Sequence, residues 1–163
     1  MRLLLILVLW AALAAPAAAK LDDTVLTFKQ SALIKGDTLF KYDGRVGARY
    51  RFSGATRCMF GNGLLYLDTQ DGTIVQETVI LPLPNHPRER ARLEKVVQMF
   101  LKETGLEKED ADQVYAAFED GIQAGKSSKK DLGGFNPLKR KYEYNVYCNP
   151  ALRSVLVQVA LKQ

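Results

Sequence analysis

Few side chains in this chain are of the kinds that do chemistry, and their spacing limits what they can do. His86 is the single histidine among 163 residues. Any Ser-His-Asp or Cys-His arrangement would have to use it. It stands in Asn85-His86-Pro87, where the start of a helix accounts for it. There is no HExxH and no closely spaced cysteine pair, so the usual zinc spacings are missing. Gly125-Lys126-Ser127 ends like a phosphate-binding loop. That motif needs a glycine where Asp120 stands, a strand before it and a helix after it. Here a helix pattern comes before it, so the reading is rejected. Acid–base chemistry by paired carboxylates stays open. No catalytic, metal-binding or cofactor residues are assigned, and no cofactor is implied.

The two cysteines, Cys58 and Cys148, lie far apart in sequence. Redox dithiols sit as C-x-x-C, and these do not. In an exported chain two cysteines of this kind pair as a structural disulfide. Closing a loop of about 90 residues would contribute roughly 4–5 kcal/mol in the chain-entropy view.

Two basic features are candidates for anion binding. Arg45 to Ser53 alternates, which places Arg45, Arg49 and Arg51 on one strand face, with Arg57 able to join from the next strand. Val46, Ala48, Tyr50 and Phe52 form the other face. Guanidinium forks on one face suit carboxylate or phosphate oxygens. A solvated face paired with Asp68 or Glu77 is the plainer reading. The second feature is the stretch from Lys126 to Lys141, with Lys126, Lys129, Lys130, Lys139, Arg140 and Lys141 against Asp131 alone. It reads as a long mobile loop.

The elements that must position these groups follow from periodicity. Residues 1–19 read as a signal peptide that is cleaved off. Arg2 precedes an apolar run from Leu3 to Ala15, and Ala17-Ala18-Ala19 offers the A-x-A site. The run is shorter than the roughly 20 residues a spanning helix needs, and no later segment is apolar enough to try. Residues 20–163 then form a single α+β domain, one charge less basic than the +5 of the whole chain. Short segments rich in aromatic and β-branched residues follow: Thr24–Lys29, Thr38–Tyr42, Arg45–Ser53, Ala55–Phe60, Leu64–Asp68 and Thr73–Leu81. Asp43-Gly44, Asn62-Gly63 and Asp71-Gly72 are hairpin signals between them. The pattern is an antiparallel β-meander.

Pro82, Pro84 and Pro87 interrupt it. Leu93, Val96, Val97, Phe100 and Leu101 form one stripe of a helix ending near Thr104, with Gly105 beyond. Ala111, Val114, Tyr115, Phe118 and Ile122 form the stripe of a second amphipathic helix, Glu109 to Ala124. A C-terminal β-hairpin closes the chain, with alternation at Tyr142, Tyr144, Val146 and Cys148, a turn at Asn149-Pro150, then Val155, Val157, Val159 and Leu161.

Secretion to the periplasm or beyond excludes a genomic nucleic-acid partner. The expected function is a non-catalytic binding or inhibitor module whose partner is a protein or an anionic envelope component. One alternative is a carrier of a small apolar ligand or lipid between sheet and helices, lined by Phe40, Tyr50, Phe52, Phe100, Tyr115 and Phe118. Another is a small enzyme using carboxylates.

Overall fold

A seven-stranded antiparallel sheet and two long helices account for most of the residues that the computed structural model describes, which are 20–37, 39–55 and 63–162. The strands are β1 (Phe40–Val46), β2 (Arg49–Gly54), β3 (Leu64–Gln70), β4 (Thr73–Pro82), β5 (Ser128–Phe135), β6 (Lys141–Asn149) and β7 (Ser154–Leu161). The helices are α1 (Val25–Phe28), α2 (Pro87–Glu103) and α3 (Lys108–Ala124). The strand order is β1-β2-β3-β4-β7-β6-β5. The meander β1–β4 and the hairpin β6–β7 are therefore joined by the β4–β7 pair. The last strand lies inside the sheet, between the central β4 and β6, and Val155, Val157 and Val159 are fully buried on its inner side.

Both long helices start and stop as the sequence implies. Pro87 opens α2 with His86 at the cap position, and Gly125 ends α3 in the left-handed conformation that glycine adopts freely. Helix α3 lies on β5, β6 and β7, while α2 contacts β4 and α3. Phe28, Phe40, Phe52, Phe100 and Phe118 have no exposed surface and belong to one continuous apolar core. The Asp71-Gly72 hairpin forms as expected, with φ of +51° and +82°.

Several expectations change. Thr24–Lys29 is not a strand. Its centre is α1, because the Thr24 hydroxyl accepts the Thr27 amide at 3.3 Å and Val25 and Phe28 turn inward at helical spacing. Asp43-Gly44 does not end a strand but makes a bulge inside β1. The turn falls at Gly47-Ala48, where Gly47 has φ +59°. The stretch Lys126–Lys141 is not a continuous loop, since β5 pairs with β6 over much of it. The Ala55–Phe60 strand and the Asn62-Gly63 turn fall mainly outside the described residues, as do Thr38, Cys58 and Arg57. Among the described residues there is no disulfide. Cys148 is buried at the inner side of β6, and its expected partner Cys58 lies outside the described residues.

What holds β5 is a carboxylate, not apolar burial, because Leu132 is its only apolar side chain buried in the core. Asp110, in the first turn of α3, accepts the Gly133 amide at 3.1 Å and the Gly134 amide at 2.8 Å. A Cβ on Gly134 would lie 2.4 Å from an Asp110 oxygen, so this capture needs a glycine there. Asp110→Ala should cost about 1–3 kcal/mol, since it strands two amides. Hydrogen exchange should show faster exchange at Gly133 and Gly134. Unchanged protection at both would count against the pin.

Candidate functional site

The helices and α1 cover one face of the sheet. Phe52, Leu65, Val79, Val157 and Val146 share that inner face by register. No described helix covers the other face, and its side chains fall into three rows across the strands. The first row is Ser53, Leu64, Ile80, Leu156 and Tyr147. The second is Arg51, Tyr66, Thr78, Gln158, Asn145 and Lys129. The third is Arg49, Asp68, Gln76, Ala160, Glu143 and Asp131. Across β3, β4, β7 and β6 the uncovered face thus grades from an apolar row through an uncharged polar row to one that carries Asp68 and Glu143, while Arg51 and Lys129 flank the middle row on β2 and β5. In the first row, Leu64, Ile80 and Leu156 are half-buried, and Tyr147 is 49 % exposed.

The charged row is internally paired. Arg49 forms a fork on Asp68 at 2.7 and 2.9 Å, and Gln76 donates to the same carboxylate at 2.7 Å. The carboxylate raises the Arg49 pKa further. Arg51 reaches back to Asp43 at 2.6 Å. The β1 bulge turns Asp43 toward Arg51 and the Ser53 hydroxyl, and that hydroxyl and the guanidinium hold its carboxyl below the usual range. Lys162 meets Asp131 at 2.6 Å, which lowers the acid and raises the amine. These are exposed pairs, worth little to folding. They do neutralise the cations from which an anion site would be built. The Arg49–Asp68 pair is the solvated-face pairing that the sequence implies. Glu77 is not an outward partner, for it lies fully buried on the inner face beside Leu67 and Val159.

The cationic candidates do not form one patch. Arg45 leaves the arginine row, because the turn at Gly47 places it opposite Tyr50, on the inner-face side. Its guanidinium lies 4.8 Å from the Tyr50 ring centre, and it donates to the Gly47 carbonyl at 2.6 Å. Arg57 is outside the described residues. Lys129 and Lys141 point to the uncovered face, where Lys141 sits over the Phe135 ring. Lys126 and Lys130 line a recess between α3 and β5 with Ser127, Ser128 and Tyr144. Lys139 stands in a turn with φ +60°. Arg140 lines a second recess together with Lys162. That recess adjoins one of about 580 Å³ bordered by Arg49, Glu143 and Lys162. The structure therefore brings Arg49 and Arg140 to neighbouring recesses through Lys162. The sequence reading did not single out Lys162, although the β7 alternation points it outward.

His86 is exposed and makes no side-chain capping bond. Among the described residues no group of His, Cys, Asp and Glu is arranged to hold a metal ion, and no helix is long and apolar enough to cross a membrane. No family model, no curated protein and no solved structure matches this chain.

Proposed function

We propose that this chain is an exported, non-catalytic binding module that seats a protein partner on the uncovered face of its sheet, in the periplasm or outside the cell. The observation that carries the reading is the Leu64, Ile80, Leu156 and Tyr147 row. A sheet face left to water normally turns polar side chains outward. An apolar row flanked by polar rows suits an interface with an apolar centre and a polar rim. The paired state of Arg49, Arg51 and Lys162 favours a protein over a polyanion, which would have to displace three carboxylates. The leader supports export. A Cys58–Cys148 disulfide belongs to the same proposal. The end of β2, the start of β3 and the end of β6 that carries Cys148 lie at one end of the sheet.

The test is a pair of folded variants checked by circular dichroism. Tyr147→Lys with Leu156→Lys should lower recovery of an identified envelope protein at least tenfold, as loss of a central anchor does. Lys95→Glu, on the exposed side of α2, should leave recovery unchanged. A photoreactive residue at position 147 should crosslink to the same protein. Wild-type recovery by the double variant would overturn the reading. So would binding to anionic glycan or lipid that Arg49→Glu abolishes and the double variant does not.

A further inference from the structure

We infer that removal of the leader does more than release the chain: the ammonium created at Lys20 becomes a bonded part of the fold, paired with Asp23. The inference rests on the signal-peptide reading and on the geometry of residues 20–24. This segment is a strap. Leu21 donates to the Thr104 carbonyl at the end of α2 at 3.2 Å. Asp22 and Asp23 exchange two 2.8 Å bonds with Ile74 of β4. Asn136, in the β5–β6 connection, donates to the Asp22 carboxylate. Leu21 is buried, and the Lys20 stem crosses Gly105, where an added Cβ would lie 2.7 Å from it. The strap therefore ties α2, β4 and the β5–β6 connection together, starting at the first residue after the A-x-A site.

The Lys20 nitrogen already donates to Asp23 Oδ2 at 2.8 Å. In the uncleaved chain that nitrogen is an amide. Hydrolysis of the Ala19–Lys20 peptide adds one water, leaves a carboxylate on Ala19 and an amine on Lys20, and the amine is protonated near neutral pH. A neutral donor becomes a cationic one at the same atom, and charge-assisted hydrogen bonds are stronger. The surroundings are rich in acid. Asp22 and Asp23 lie on the strap, and the Glu77 carboxyl of β4 is within electrostatic range of Asp23 and of Glu103 at the end of α2. The Lys20 side chain is the other cationic group of the strap.

The test compares chains beginning at Lys20 with chains that keep Ala17–Ala19, each with and without Asp23→Asn. The readout is amide hydrogen exchange at Leu21 and Ile74 near pH 6.5. Asp23→Asn should lower protection in the Lys20-initiated chain about twofold to fivefold more than in the extended chain, the range expected of one exposed ion pair. The excess should vanish above the titration of the amine. Intact mass of the exported protein tests the leader separately. An exported chain that starts elsewhere carries no ammonium at Lys20, so the Ala19–Lys20 cleavage site and this inference both fall. A chain that starts at Lys20 with no excess leaves the leader standing and overturns this inference alone.

Discussion

Replacing Glu77 by methionine should stabilise the protein at pH 7 by about 2–4 kcal/mol, because a core carboxyl with nothing to bond costs more than it returns. Glu77 is fully buried, and neither of its carboxyl oxygens has a hydrogen-bond partner among the described residues. Burial, then the nearby Glu103 and Asp23 carboxylates, hold its pKa well above the ordinary 4.5. The folded state thus keeps a proton that the unfolded chain has given up. The wild type is favoured below the unfolded value and loses stability as pH rises from there through the folded value, by up to about 1.4 kcal/mol per pH unit for one proton. Denaturant titrations from pH 4 upward should show this decline in wild type and its absence in Glu77→Met. Glu77→Gln should flatten the decline with a smaller gain, since its amide is buried without partners. A Met variant that is less stable at pH 7, or that declines in parallel with wild type, would sink the account.

Phe100→Ala and Phe118→Ala should each cost about 3–5 kcal/mol, the usual range when a filled aromatic site becomes a cavity. Phe100 lies on α2 and Phe118 on α3, and neither exposes any surface. Tyr115 touches the Phe118 ring at 5.8 Å between centroids, so the aromatic contact is lost together with the buried area. Both losses are large against a typical domain stability of about 5–15 kcal/mol. Urea unfolding with an unchanged slope would report them cleanly. A cost below about 1 kcal/mol at both positions would mean that the helices do not rest on the sheet as described.

The sequence by itself determined the elements whose signals are local and dense. Five apolar residues at helical spacing mark α2, five more mark α3, and Gly125 closes the latter. Alternation in β6 and β7 marks the terminal hairpin, because burial is one-sided along β6 and along β7 as far as Val159. Tertiary structure decided what such patterns cannot carry. Strand β5 was invisible because little of it is buried; the Asp110 carboxylate and the β6 backbone hold it, and neither leaves a mark on its own residues. The arginine row dissolved because Gly44 and Gly47 are equally permissive in sequence, while pairing put the bulge at one and the turn at the other, sending Arg45 to the opposite face. The uncovered apolar row is assembled from four strands, one residue from each, so only the register could reveal it. In sequence Glu77 reads as a solvated partner for arginine, because a single carboxylate in a strand looks the same facing water or core. Which way it faces is fixed by the residues beside it in other strands, and that is long-range information.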